Sequence, residues 1–425
     1  MPESSVTITA ADYGALMGLA SEIGREPDLD GLLVKILEKS RPWIQCEACS
    51  IFLPDPSSGE LLIHSAQGSS APRLAELRVP AGKGIVGSAM VDRRLIRVDD
   101  VSQDPRFYSA ADKKTGWTTR ALIAAPLLDG QRSIGAIEFL NPIGRASFTA
   151  HDEVLIEYFS SLVAASLVRI QSHQAALERA QVQRDLDLAR EMQTGLLPTA
   201  FPDPATLGGL DLHATLDPAT EVSGDLYDFF PAPDGRLYFL VGDVSGKGVA
   251  AGLFMAVTRT LIRATARLGL SPVAILQAVN EQLVPENSAF LFVTIILGLY
   301  DPATGEIVYA QGGHNQAVHV DGNGVARYQP SGGQPLGVFG DATFAPLTCQ
   351  LGAGELFVLY SDGVTEAMNA DHKLYGEDRL LRLLTNGQQL GARPIIEQLL
   401  QDVEAFVAGA EQSDDITIMA LRRQG

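Results

Sequence analysis

The sequence is poor in cysteine, tryptophan and positive charge, and it has no long apolar run. Its 425 residues include three cysteines, two tryptophans and 32 Lys/Arg against 51 Asp/Glu, a net charge of −19. Three thiols cannot build a disulfide framework, so a reducing compartment and a cytoplasmic location are expected. The deficit of Lys and Arg disfavours nucleic acid, whose binding depends on neutralising phosphates, and equally a bare anionic membrane. The longest apolar run, AFLFVTIILGLY (Ala289–Tyr300), falls well short of the roughly 18 residues a membrane span needs. MPESSVTITA at the N-terminus lacks the basic-then-apolar pattern of a secretory signal. Cys46 and Cys49 spell C-x-x-C, which suits either redox or zinc chemistry or simple burial. No second pair exists, and ACSIFLPD reads as a strand with Cys49 on its core side.

What is present is organised in three stretches. Apolar residues at helical spacing (Leu16, Leu19, Ile23, then Leu32, Leu33, Ile36, Leu37) precede two hairpin patterns. SIFLPDPSSGELLIHSA turns through Pro, Ser and Gly, and ALIAAPLLDGQRSIGAIEFLN turns at Asp129-Gly130. A segment without proline follows from Thr149 to Leu197, with Thr149 and Asp152 placed to cap a helix. Phe159, Leu162, Ser166 and Ile170 form one near-heptad stripe on it, and Val182, Leu186, Ala189, Gln193 and Leu196 another. Two readings are open: a coiled coil between two copies, or one helix packed on its own domain. Pro198, Pro202 and Pro204 end it. From about residue 208 the pattern becomes strands, helices over Val249–Ala266 and Pro272–Leu283, a hairpin through Asp301–Gly305, then further strands and helices. This predicts an α/β domain with antiparallel sheets.

Four acidic sites in the last stretch lie at strand ends or turns: VSGDLYDFF (Asp225), VGDVSGKG (Asp243), LYSDGVTEA (Asp362) and QSDDITIMAL (Asp414, Asp415). Carboxylates that converge tolerate one another only with cations between them, and hard divalent ions such as Mg²⁺ or Mn²⁺ prefer oxygen ligands. Two such ions can acidify water and clamp a phosphoryl group. Glycines would admit the backbone closely, and the Val244 carbonyl could add a ligand. The bland reading is turn aspartates, common because Asp favours Asx-turns. Other phosphate and catalytic signatures fail: Gly242 and Gly246 enclose too few residues for a P-loop, and no G-x-S-x-G or H-E-x-x-H occurs. GKGIVG (Gly82, Gly84, Gly87) matches G-x-G-x-x-G, but the helix after it can run only to about Arg94.

The motifs VSGDLYDFF, GDVSGKGVAAGLFMA, FVTIILGLYDPATGEIVYAQGGHNQ, GGQPLGVF, LYSDGVTEAMN and DDITIMAL, in this order, resemble the metal-dependent PPM-type (2C-like) serine/threonine phosphatases. The likeness covers about residues 190–423 and is closest to the bacterial branch of the sporulation stage II phosphatase E and the sigma-B regulatory phosphatase U. It implies an α-β-β-α sandwich with two divalent cations, Mn²⁺ or Mg²⁺, at one edge. It also implies Asp225, Asp243, the Val244 carbonyl, Asp362 and Asp414 as ligands, with Asp225 and Asp243 catalytic. Asp415 is the less favoured member of its pair. Gly224, Gly242, Gly246 and Gly363 would shape the site. Lys247 is a candidate phosphate-side group and His314 a candidate general acid.

The first stretch resembles a GAF sensor, on ACSIFL, GKGIVGSAMVDRRLIRVDDVSQDPRF and the run from GAIEFLN to FTAHDEVL. Asn141, Phe148, Asp152 and Glu153 fit the pattern of members that bind cyclic nucleotides, but Pro142 stands where the pattern has lysine. The expected organisation is an αβα GAF domain over residues 12–170, a helical linker over 171–200 and a phosphatase domain over 201–425. The implied function is a GAF-regulated phosphoserine/phosphothreonine protein phosphatase. Its expected substrate is a phosphorylated anti-sigma-factor antagonist of STAS type, and its expected assembly a homodimer through the linker helix. A small molecule on the GAF domain is a further expectation. The rival is a catalytically silent module that only binds the phosphoprotein.

Overall fold

Apolar periodicity and polar caps decide where the elements of this chain begin and end. The computed structural model describes residues 8–23, 28–68 and 77–425. Its contacts divide the chain into two units, Met1–Ala180 and Gln181–Gly425.

The first unit opens with α1 (Ala10–Ile23) and α2 (Leu29–Ile44), the latter capped by Asp28, which accepts from Gly31 N at 2.8 Å. Then come β1 (Cys46–Pro54), β2 (Leu61–Gln67), β3 (Arg78–Val79), α3 (Gly84–Asp92), β4 (Ile96–Val98), α4 (Ala110–Thr115), β5 (Leu122–Asp129), β6 (Arg132–Pro142) and α5 (Ala150–Thr194). The strands form one antiparallel sheet in the order β3-β2-β1-β6-β5-β4. Both expected hairpins are present, and the second turns with Asp129 opposite Arg132 and Gly130 at φ 56°. Leu33 and Ile36 of α2 and Phe159 and Leu167 of α5 pack on Ile51, Ile137 and Phe139. On the other face Ile85 and Val86 of α3 meet Phe52, Leu122 and Ala136, which completes the αβα layering. Cys46 and Cys49 are free thiols buried in the first of these cores. α3 ends at Asp92, the short helix that GKGIVG allowed.

Thr149 and Asp152 start α5 reciprocally: Asp152 Oδ2 accepts from Thr149 N at 2.7 Å, and Thr149 Oγ1 accepts from Asp152 N at 3.2 Å. Phe159, Ser166 and Ile170 are buried in the first unit's own core, whereas Val182 and Leu188 stand exposed. The boundary between the units falls inside this helix.

The second unit comprises β7 (Leu210–Asp217), β8 (Leu226–Pro231), β9 (Leu237–Val244), α6 (Val249–Ala266), α7 (Pro272–Glu286), β10 (Val293–Tyr300), β11 (Glu306–Gly312), β12 (Val318–Val320), β13 (Ala326–Tyr328), β14 (Leu347–Gln350), β15 (Leu356–Tyr360), α8 (Asp362–Thr365), α9 (Glu377–Asn386), α10 (Ala392–Val407) and β16 (Ile416–Arg423). Two five-stranded antiparallel sheets result, β14-β11-β10-β9-β8 and β13-β12-β15-β16-β7. Because side chains alternate along a strand, Tyr238 and Leu240 of β9 face α6 and α7 while Phe239 and Val241 face the second sheet. Phe239 meets Phe357 edge-on there, at 6.3 Å between ring centroids. α9 and α10 cover the outer face of the second sheet through Leu380, Ile395 and Leu399. Among the described residues, α6 alone is long and apolar enough to cross a membrane by composition, and it packs on α7 and the first sheet.

Candidate active site

Strand pairing brings the acidic positions of the second unit to one edge. Asp225 immediately precedes β8 and Asp243 is the penultimate residue of β9; these strands pair with Leu226 opposite Gly242. Asp362 opens α8 just after β15, and Asp414 lies two residues before β16; these pair with Tyr360 opposite Ile418. Antiparallel partners place the start of one strand beside the end of the other, so each pair of carboxylates shares a sheet end.

Asp415 ties the two sheets together there. Its Oδ1 accepts from Ala219 N at 2.7 Å, and its Oδ2 accepts from Ser223 Oγ at 2.6 Å and Gly224 N at 3.0 Å. Ser223 Oγ in turn accepts from Asp225 N at 3.0 Å. Asp415 is therefore a buried bracket whose oxygens are occupied by protein donors, while Asp414 is half exposed.

Asp225 is buried, and its Oδ2 has no hydrogen-bond partner. Burial, then the charge of Asp243, holds its carboxyl far above the usual range, against the opposing pull of the Thr417 and Ser361 hydroxyls. Burial followed by the charge of Asp362 pushes Asp243 up to about 6, with Asp414 and Asp415 adding. Asp362 is also raised, by burial, Glu366 and Asp414 in that order. These groups destabilise one another as anions, and a buried carboxylate oxygen without a donor is the kind of atom a cation satisfies. The donor set is all oxygen, which suits a hard divalent ion. Among the described residues no three of these side chains close around a single point, so they line the edge rather than forming a closed cage.

Glycine is required at two places here. A Cβ on Gly224 would lie 2.6 Å from the Val244 carbonyl oxygen, and one on Gly363 would lie 2.0 Å from the Asp415 carbonyl oxygen. Gly242 lies in β9 against Thr294, and Gly246 sits in the following turn at φ 86° beside Leu291. Lys247 Nζ donates to Ser413 O at 2.7 Å and lies 3.4 Å from Asp414 Oδ1, so its charge is spent on the acidic edge. His314 is buried, with Nδ1 2.8 Å from Thr294 Oγ1. Burial pulls its imidazole down to about 4, which leaves it neutral at neutral pH.

Sequence reasoning passed over Asp228, three residues after Asp225. It is fully buried, accepts from Arg263 twice at 2.6 Å and pairs with Arg259 at 2.9 Å, pinning α6 to β8. Two arginines four apart on an otherwise apolar helix were the available signal.

In the first unit, a cleft and the residues expected from the sequence to mark a ligand region do not coincide. A cleft of about 810 Å³, part of it open to solvent, is lined by Phe52, Val79, Phe107, Tyr108, Leu122 and Glu138 among others. None of Asn141, Phe148, Asp152 or Glu153 lines it. Asn141, at φ 53°, accepts from Arg120 N at 2.7 Å and donates to Glu47 Oε2 at 2.9 Å and Thr118 O at 3.0 Å. Phe148 belongs to the core under α2 and α5. Asp152 caps α5 and binds Arg145 at 2.7 Å, and Glu153 pairs with Arg97 at 3.0 Å. All three polar groups thus have partners within the protein. Inside the cleft, burial and the charge of Asp112 push the Glu138 carboxyl up to about 8.

Comparison with known proteins agrees with this division. The family described as stage II sporulation protein E (SpoIIE) matches residues 233–424, and the GAF domain family matches residues 28–167. Protein IcfG of Synechocystis is 29% identical over 266 residues, 56% of this chain and 41% of its own length. Phosphoserine phosphatase RsbU of Bacillus subtilis is 25% identical over 245 residues, 57% of this chain and 71% of its own length. The chain thus spans less than half of the first of these relatives. The SiaA-PP2C domain of Pseudomonas aeruginosa shares the fold at 22% identity and a TM-score of 0.51, over 58% of this chain and 99% of that one. The second unit thus carries a SpoIIE-type domain, matched over residues 233–424, and the first a GAF domain, matched over residues 28–167.

Proposed function

We propose that the second unit hydrolyses phosphoserine or phosphothreonine in a protein substrate, using two divalent cations, Mn²⁺ or Mg²⁺. The observation that carries this reading is the buried Asp225 carboxylate, one oxygen unpartnered, set beside Asp243, which itself lies within the field of Asp362, Asp414 and Asp415. Asp225, Asp243, the Val244 carbonyl, Asp362 and Asp414 would hold the ions. When bound, such ions lower the pKa of water and offset the charge of a phosphoryl group. The chain's own share is positional. Asp415 brackets the turn that carries Asp225, Gly224 and Gly363 let the backbone close in, and Lys247 braces Asp414. In the overall step the oxygen of water bonds to phosphorus, the bond from phosphorus to the serine oxygen breaks, and that oxygen leaves with a proton.

The family resemblance extends the proposal to an anti-sigma-factor antagonist of STAS type as substrate, to control by a ligand in the GAF cleft, and to a cytoplasmic setting. The exposed Leu177, Val182, Leu188 and Met192 on α5 support a homodimer through that helix. A monomeric mass for the full chain in solution would end that part of the reading.

The deciding experiment is Mn²⁺-dependent hydrolysis of a phosphoserine protein by the full chain and by Asp243→Asn. The variant is expected to lose more than the roughly 10–100-fold that altering an outer-shell partner of a metal costs. Equal rates in the two proteins refute the catalytic assignment, and binding without turnover in the wild type gives the silent module instead.

A further inference from the structure

The middle of the first sheet carries a carboxyl where strand alternation calls for an apolar side chain. On β6, Ala136, Glu138 and Leu140 share the face turned to α3, where Ala136 packs with Phe52, Ile85, Val86 and Leu122. β6 lies between β1 and β5, so Glu138 has Ser50 opposite it on one side and Ala124 on the other. Glu138 lines the cleft together with Phe52, Phe107, Tyr108 and Trp117. An acid among such side chains costs the fold stability, so packing alone gives no reason for it. The glycines of GKGIVG help to shape the same cleft. Gly84 starts α3 at φ 71°, and a Cβ on it would lie 3.3 Å from Tyr108 Cβ, so the helix start reaches Tyr108 because residue 84 has no side chain.

Among the described residues that line the cleft, the titratable ones are Lys83, Tyr108, Asp112 and Glu138. Lys83 is exposed to water. Asp112 accepts from Thr119 N and from Thr119 Oγ1, both at 2.8 Å, so its oxygens are engaged by the protein while its charge acts on Glu138. The Ser50 hydroxyl is the opposing pull on Glu138. Two carboxyls thus border a space walled by aromatic rings, whose faces attract a cation that has shed its water. An anion would be repelled there, and a neutral molecule would draw nothing from the field. We propose that the cleft binds a small organic cation, an amine or amidine on an apolar or aromatic body, with Glu138 as its counter-ion and Phe52, Phe107, Tyr108 and Trp117 as its walls. The inference rests on reading the cleft as the regulatory ligand site, and it adds the chemical class of the ligand. Without such a cation Glu138 keeps its proton at neutral pH. As the cation enters, that proton passes to water and the carboxylate stays beside the ligand, so the charge in the cleft is conserved.

The test uses the full chain without phosphoprotein. The probes are phenethylamine and benzamidine, with 2-phenylethanol and phenylacetate as the neutral and anionic counterparts of the first. Titration calorimetry in two buffers of different protonation enthalpy reads affinity and counts the protons released. Glu138 must be ionised to pair, and its ionised fraction grows as pH rises from 4.5 to about 8. Within that window both cations are expected to bind with release of close to one proton. Their affinity should rise by up to about 10-fold per pH unit and level off above the window. The alcohol and the carboxylate should bind at least about 10-fold more weakly than phenethylamine. Glu138→Gln should lose both the proton release and the preference for the amine over the alcohol, while Lys83→Ala keeps both. If Glu138→Gln is unfolded at the assay temperature, the wild-type proton count decides. Cations that bind no better than the alcohol, that bind without releasing a proton, or that show no millimolar binding overturn the inference. Preference for phenylacetate or for 2-phenylethanol overturns it too, while leaving the cleft a ligand site for an anion or a neutral molecule. No phosphate ester is present, so none of these outcomes bears on the phosphatase reading of the second unit.

Discussion

The acidic edge of the second unit and the cleft of the first bury carboxyl groups in different company. At the edge, Asp225, Asp243, Asp362 and Asp414 face one another, so their repulsion adds to the cost of burial. In the cleft, Glu138 stands among Phe52, Phe107, Tyr108 and Leu122, where burial is again the largest cost and the charge of Asp112 alone adds to it. An array of anions is relieved by a cation, whereas a carboxyl in an apolar wall is relieved by keeping its proton. The two regions therefore predict different responses to metal and to pH.

The comparison breaks most sharply within the edge itself, at adjacent aspartates. Asp415→Ala strands the donors on Ala219, Ser223 and Gly224, and is expected to cost about 3–5 kcal/mol, read as a lowered unfolding midpoint of the second unit. Asp414→Ala removes a half-exposed group braced only by Lys247 and the Asp415 N–H, and should change stability by less than about 1 kcal/mol. It should instead reduce the rise in midpoint that Mn²⁺ produces. A reversed outcome, with Asp415 governing the Mn²⁺ response and Asp414 the fold, would exchange the roles assigned to the two residues.

The cleft supplies the smaller effect. An unfolded glutamate releases its proton near 4.5, and the folded Glu138 holds it to about 8. Between these values the folded state binds more protons, so the first unit should lose stability as pH rises from about 4.5 to 8 and level off above. Glu138→Gln should flatten that slope while leaving the Mn²⁺ response of the second unit untouched. An unchanged slope in the variant would place its origin elsewhere.

Much of this was legible in the chain before folding was considered. The hairpins turned at Asp129-Gly130 and Asp301–Gly305, the helices from Val249 and Pro272, and the Thr149–Asp152 cap all rest on local rules of turn chemistry and periodicity. The acidic candidates were legible for the same reason, since each sits beside a glycine or a second aspartate where a strand ends. The cleft was not. Phe52, Tyr108 and Glu138 come from separate elements, whereas Asn141, Asp152 and Glu153, close in sequence, are engaged by Glu47, Thr149 and Arg97. Gln193 was visible only as one position in an amphipathic stripe, because its partner lies 30 residues away in a loop.

Sequence alone determined the elements, the all-oxygen character of the acidic edge and the presence of two different kinds of domain. These follow from short-range preferences and side-chain chemistry that neighbours along the chain already express. Only the tertiary structure decided which of Asp414 and Asp415 is buried under protein donors, that Lys247 and His314 are engaged, and that Gln193 grips Ser223. Those outcomes depend on which donors reach a given atom in space, and strand pairing and helix docking settle that together rather than any one segment.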